Sequence, residues 1–432
     1  MSAAPAQPPR ADRTPWGLMA RLSAMMYLQS VPLGSWGVTI GTFIAANTGD
    51  QGSGAYSAGF IGYSTAAGAI GGLISPVVFG LLSDRWFSAQ KLLALLHLGC
   101  ALSVAAMYVA ESQTGLFIGL LCYFHCYVPS VALSNKIGLK HLADPDAEFP
   151  LVRVFGTLGW ISAGLIVGLA WPWLWGHSIE ATRIPFAIGV VADLVIAAYA
   201  LTLPHTPPER DQDTSASLAE AFWGGVKLLS DRSIAVFLVV AFLACVPSMA
   251  YNNFANPFLN LSGYQSAAAL MTVGQVSEIL VLWVMPLLIF RLGLRWLFVL
   301  GLLAWTLRYG FLALGGEWAM SPPVYAAILL HGPCFAFIYV GGPMYIDHLV
   351  QAKDRGFAQG LYAVAATGLG HLAGAGLVGW SQEQFLTPSD APTPPYDWTS
   401  FWLLPGVLSL LTTILFLAFF RTGETQTSPG QS

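Results

Sequence analysis

Apolar runs of about twenty residues alternate with short polar turns along nearly the whole chain. A hydrocarbon core of about 30 Å needs about 20 apolar residues per α-helix, so each run predicts one membrane-spanning helix. The pattern places twelve, at 17–46, 57–82, 91–110, 115–137, 151–173, 184–203, 233–259, 265–290, 296–315, 321–346, 356–380 and 399–420. One stretch rich in Pro, Asp, Ser and Thr, residues 204–217, interrupts the series at its middle. The expected class is an all-α polytopic membrane protein, with twelve transmembrane helices in two six-helix halves, 17–203 and 233–420. Residues 204–232 read as a linker carrying an amphipathic helix, 218–229, that lies on the membrane surface. Residues 1–16 and 421–432 read as disordered tails.

Composition agrees with the pattern. The chain is 55% hydrophobic and 9% charged, where soluble proteins are about a quarter charged. Of its 18 Lys and Arg, all but Arg183 and Arg308 fall in the termini, in the even-numbered turns or at helix ends on that side. The positive-inside rule makes that side cytoplasmic, with both termini inside. No apolar core precedes Trp16, so no cleaved signal peptide is expected. Cys100, Cys122, Cys126, Cys245 and Cys334 fall within predicted spans and lack metal-type spacing. A net charge of −4, with no basic patch interleaved with aromatics, gives no sign of nucleic-acid binding. No metal or cofactor is expected.

Polar residues inside the spans carry the functional signal. Gln275 and Glu278 lie near the middle of span eight, three residues apart and so on one helical face. A carboxylate in hydrocarbon costs at least about 2.5 kcal/mol, so Glu278 should face a protein interior or a watered cavity, with a partner. Arg308 on span nine is either its counter-ion or a packing anchor. Asp193 on span six is either a second proton site or a polar contact between helices. His331 on span ten lines the cavity or serves packing, whereas His97, His125 and His371 read as structural polar groups.

The two halves echo each other. Gly80, Asp84 and Arg85 form a Gly-x-x-x-Asp-Arg turn after span two, and Arg291 and Arg295 bracket a short turn after span eight. Basic turns at matching places in two six-helix halves fit the parallel repeat of the major facilitator fold. Asp84 and Arg85 are expected to act in conformational gating.

Several stretches resemble the bacterial nucleoside:proton symporters of the major facilitator superfamily. They are Gly34, Ser35 and Trp36; Phe149, Pro150, Arg153, Gly156 and Thr157; Thr202, Pro204 and His205; Asn252, Phe254 and Asn256; Gln275 and Glu278; and Arg355, Gln359 and Gly360. The resemblance implies a monomeric secondary transporter in the bacterial inner membrane, with nucleoside and proton as its partners besides the lipid bilayer. It assigns the base to Arg153, Thr157, Trp160 and Phe335, and the ribose to Asn252, Gln275 and Glu278, with His331 as a further candidate. Physical chemistry agrees. Arg153, Thr157 and Trp160 share a helical face, a guanidinium donates to carbonyls, an indole stacks on bases, and amide and carboxylate groups suit vicinal hydroxyls.

Three positions depart from the family pattern. Trp160 stands where an aromatic Phe is usual, and Met249 where a Gln precedes the Asn. Ala336 replaces the acidic residue that follows the Phe. Membrane carboxylates are the usual proton carriers, so the last change implies weak coupling or downhill transport unless Glu278 or Asp193 takes the role. Ala336→Asp is then expected to strengthen the pH dependence. The runner-up substrate is a sugar or another small polar metabolite. An integral-membrane enzyme or sensor is disfavoured, because the sequence has no ligand-spaced His/Asp/Glu cluster and no large extramembrane domain.

Overall fold

Apolar runs flanked by turns become helices because hydrocarbon offers backbone groups no partner outside the segment. The computed structural model describes residues 13–48, 54–208, 227–317, 322–351, 354–385 and 396–419. Among these, nine helices are by themselves long and apolar enough to cross a membrane. One of them, Ala267–Glu317, is two spans joined at Gly293, whose φ of +78° and ψ of 158° suit only glycine. The others are Phe60–Gly80, Ala89–Val109, Gln113–His141, Ala147–Trp175, Arg232–Leu261, Pro322–Leu349, Arg355–Phe385 and Trp398–Phe419. Trp16–Trp36 with Ile40–Ala46 supplies span one, and the shorter Ile184–Ala200 supplies span six. The twelve expected traversals are all present and no strand occurs among the described residues.

The boundaries differ in instructive places. Span one is interrupted between Trp36 and Ile40, and span two between Ser64 and Ala66. Span four runs from Gln113 to His141, and span five begins at Pro145, both longer than their apolar windows. Polar ends extend because caps satisfy them: Ser112 Oγ accepts from the Gly115 amide at 3.1 Å, and Asp144 Oδ1 from the Ala147 amide at 3.2 Å. Spans five, ten and eleven each contain a π-helical stretch, at Ile166–Ala170, Ala336–Val340 and Val364–Gly370. Most of the expected amphipathic helix at 218–229 and of both tails lies outside the described residues.

Small residues let backbones meet across helix interfaces, where lipid offers no hydrophobic drive. Within the first half, a Cβ at Gly159 of span five would sit 2.1 Å from the Tyr27 carbonyl oxygen of span one. Between the halves, a Cβ at Gly62 of span two would lie 2.1 Å from the Gly379 amide of span eleven. Likewise one at Gly41 of span one would meet the Asn253 carbonyl of span seven at 2.5 Å. One at Gly168 of span five would meet the Ala269 amide of span eight at 2.4 Å. These three contacts lie toward the side away from the chain termini, so the halves are pressed together there.

The first half is also tied by a polar cluster. His97 Nδ1 of span three lies 2.8 Å from Asp193 Oδ1 of span six, both side chains fully buried. His97 Nε2 lies 3.0 Å from Gln29 Oε1 of span one, and Gln29 bonds Ser130 and Ser134 of span four. The second half packs around an aromatic core that includes Phe237, Phe254, Phe258, Tyr309 and Trp402.

Candidate substrate site

Span eight presents the central pair as its sequence spacing requires. Glu278 is buried and Gln275 half-buried, one turn apart. Gln275 Oε1 is fully buried and has no hydrogen-bond partner among the described residues. A buried acceptor left unmet costs about 1–3 kcal/mol, so this oxygen has room in its bonding for a further donor.

Glu278 is not paired directly with Arg308. His331 stands between them, with Nε2 3.5 Å from Glu278 Oε2 and Nδ1 3.2 Å from Arg308 Nη2. A guanidinium only donates, so Nδ1 must accept and the proton of the neutral ring sits on Nε2, aimed at Glu278. Arg308 itself is fully buried, with its guanidinium carbon 3.0 Å from the centroid of the Tyr251 ring. Both sequence alternatives for Arg308 therefore hold in part: it packs on an aromatic ring and reaches Glu278 through one intermediary.

On span ten, His331, Phe335 and Tyr339 recur every four residues and stack, with ring centroids 5.9 and 5.1 Å apart. Tyr339 Oη donates to Ser248 Oγ at 2.8 Å and contacts His371 Nε2 at 3.1 Å. Phe335 is half-buried between its neighbours, with part of its ring open. Among the described residues His125 bonds its own helix, through Nδ1 to the Leu121 carbonyl at 2.7 Å.

On span five, Arg153 is exposed while Thr157 and Trp160 are half-buried. The same stripe continues to Gly164, packed on Thr272 and Ala268, and to Gly168, packed on Ala269. Spans five and eight run antiparallel. Moving from the Gly164–Thr272 contact toward the termini, the next residues on the two stripes are Trp160 and Gln275, about 4.5–6 Å along their axes. The sequence-selected groups of spans five and eight thus begin one turn below the point where the halves close. Asn252 on span seven is exposed within a helix that is otherwise mostly buried.

The remaining positions singled out in the sequence fall as follows. Ala336 is fully buried in an apolar cluster with Met285, Leu297 and Phe337. Met249 is turned toward span eleven, its side chain against Gly374. Asp193 sits with His97 in the first half and is not brought to Glu278. Span two ends at Arg85, and the side chains of Asp84 and Arg85 lie outside the described residues.

The sequence reading passed over Glu180, in the turn between spans five and six. Its carboxylate is buried and accepts from Asn256 Nδ2 at 2.8 Å, Asn260 Nδ2 at 3.0 Å and the Ala268 amide at 3.1 Å. Thr42 Oγ1 of span one donates to Asn256 Oδ1 at 2.6 Å. A lone acid in an external loop reads as solvated, and only the amides at Asn256 and Asn260, one turn apart, hinted at a partner.

This arrangement of two six-helix halves around polar groups can be compared with known proteins. The sequence matches the Nucleoside H+ symporter family over residues 16–425. The chain belongs to that family. It is a nucleoside transporter of the major facilitator type, as the resemblance implied. Among relatives, it is 34% identical to the putative nucleoside transporter YegT of Escherichia coli (strain K12), over 94% of this chain and 95% of that protein. It is 28% identical to the xanthosine permease of the same organism, over 93% and 95% of the two chains. The crystal structure of the nucleoside transporter NupG superposes with a TM-score of 0.81 at 24% identity, covering 94% of this chain and all of that one. A point mutant of that transporter superposes with a TM-score of 0.84. These likenesses establish the fold of a membrane transporter for the family member described here.

Proposed function

We propose that this symporter binds its nucleoside between spans five, seven, eight and ten and releases it to the cytoplasm by alternating access. The observation that carries the reading is the orphaned Gln275 Oε1. It lies one turn from Glu278 and just below the contact that closes the two halves. A ribose offers two vicinal donors to Gln275 and Glu278, with Asn252 completing the sugar site. Arg153, Thr157, Trp160 and Phe335 take the base by donation and stacking. His331 holds Glu278 from behind, so its part is to orient the carboxylate.

The basic residues favour a cytoplasmic position for both termini. On that orientation the closed side is external, Glu180 latches it, and the protein rests inward-facing. Asp84 and Arg85 would act on the cytoplasmic side, where the halves meet in the opposite state. The chain acts as a monomeric carrier in the bacterial inner membrane, and nothing in the reading calls for enzymatic chemistry. Competition of labelled uridine uptake by nucleosides, free bases and sugars tests the proposal. Inhibition by nucleosides alone is expected, whereas inhibition by sugars alone would replace the substrate class.

A further inference from the structure

The His97 cluster carries more information than its distances. Ser130 Oγ donates to the Tyr127 carbonyl at 2.6 Å, so it has only lone pairs left for Gln29, and Gln29 Nε2 donates to it at 2.8 Å. That fixes the amide, and Gln29 Oε1 accepts from Ser134 Oγ at 2.7 Å. The same oxygen lies 3.0 Å from His97 Nε2, which must therefore carry a hydrogen. Nδ1 then faces Asp193 Oδ1 at 2.8 Å. Two lone pairs at that distance repel, so a further proton lies between them. The pair is either imidazolium with carboxylate or imidazole with carboxylic acid, and both hold one proton more than neutral histidine with ionised aspartate.

We propose that His97 and Asp193 form a one-proton site that serves transport coupling in this chain, supplying the carrier that Ala336 does not. This rests on the symporter reading above. The site is built from four spans and is sealed, with both side chains fully buried and Asp193 Oδ2 without a partner among the described residues. That free oxygen is where a buried carboxyl group changes partners when its proton leaves. The groups around the pair are Gln29 from span one, Cys100 on span three, and Tyr123, Cys126, Tyr127, Ser130 and Ser134 from span four, none of them a carboxylate, lysine or arginine. A Cβ at Gly156 would meet Arg153 Nη1 at 2.6 Å and Ser30 Oγ at 3.3 Å, so the guanidinium assigned to the base lies against span one, next to Gln29 of the cluster. Proton release leaves neutral His97 with one N–H for two acceptors, Asp193 Oδ1 and Gln29 Oε1, and a shift among the four spans relieves the unmet one. A proton taken from outside and given up inside in step with Arg153 would move with the nucleoside.

Asp193→Asn separates a coupling role from a mere polar staple. The amide donates to Nδ1 and preserves the hydrogen bond, but cannot titrate. In proteoliposomes, the variant should exchange labelled uridine within about twofold of wild type, while uridine-driven proton uptake falls by at least tenfold. Wild-type proton uptake by the variant would reduce the pair to a staple and overturn the proposal. If the variant fails to fold, infrared difference spectra of the wild type with and without uridine decide the matter. An imidazole band that is assigned by isotope-labelled histidine, persists in the His331→Phe background and changes on binding supports the site, and no such band excludes it. A wild type that exchanges uridine with no proton movement overturns this inference alone, and one that exchanges no nucleoside overturns the symporter reading beneath it.

Discussion

Glu180 Oε2 accepts a 2.8 Å hydrogen bond from Asn256 Nδ2, joining the turn after span five to span seven across the line between the halves. The same carboxylate receives the Ala268 amide at the start of span eight, where an anion is favoured by the helix dipole. Removing it leaves the Asn256 side-chain amide and the Ala268 N–H buried without partners among the described residues, while Asn260 keeps Thr42 and Asn256. Charged hydrogen bonds are worth about 1.5–3 kcal/mol, a roughly ten- to hundredfold change in a two-state ratio. Glu180→Ala should therefore shift the protein toward the outward-open state. An Ala269→Cys reporter would then react faster with a membrane-impermeant thiol reagent added outside. Unchanged labelling would mean the latch does not hold the gate.

Glu278→Ala should weaken uridine binding by about ten- to hundredfold, since a charge-assisted acceptor is lost. Glu278→Gln should fall between, because its amide oxygen still accepts. Calorimetry on purified protein measures this. Wild-type affinity in Glu278→Ala would mean the sugar lies elsewhere.

Trp160→Ala should weaken all nucleosides alike, as lost base stacking costs about 1–3 kcal/mol. Gln275→Ala should act differently, narrowing the preference for ribo- over 2′-deoxyribonucleosides. Paired competition curves for uridine and 2′-deoxyuridine give the comparison. Equal losses for both sugars would remove Gln275 from the 2′-hydroxyl.

Arg308 sets the tautomer of His331 and is expected to act on Glu278 only through it. Arg308→Met frees Nδ1 to take a proton, so uridine binding should gain a pH dependence that the wild type lacks. In the His331→Phe background, which keeps the stack on Phe335, the same Arg308 change should add no such pH dependence. A pH profile that is identical in both backgrounds would contradict the relay.

Ala336→Asp should lower thermal stability rather than restore coupling, contrary to what the sequence comparison alone suggests. The new carboxylate would be buried among Met285, Leu297 and Phe337 with no partner. A melting curve in detergent together with pH-dependent uptake checks it. Greater pH dependence without loss of stability would mean that this face of span ten opens to the cavity.

Much of the candidate site was legible because its signals are local. Gln275 and Glu278 announce themselves by the cost of polar groups in a hydrophobic run, and their common face follows from helix geometry. Arg153, Thr157 and Trp160 share a stripe for the same reason. Glu180 could not be read this way, since an acid in a polar turn costs nothing in the unfolded or the solvated chain. Its burial arises only when spans seven and eight of the other half close over it.

The sequence by itself determined the twelve traversals, the division into halves and the residues that hydrocarbon will not tolerate alone, because the transfer cost of each segment is set by its own composition. Tertiary structure decided the partners. Arg308 reaches Glu278 through His331, His97 meets Asp193, and Gly62 meets Gly379. Each pair is distant in the chain and lies on spans whose apolar patterns leave rotation and neighbour undefined. Close packing between small residues and the need to satisfy buried polar atoms select one arrangement from the many that hydropathy allows.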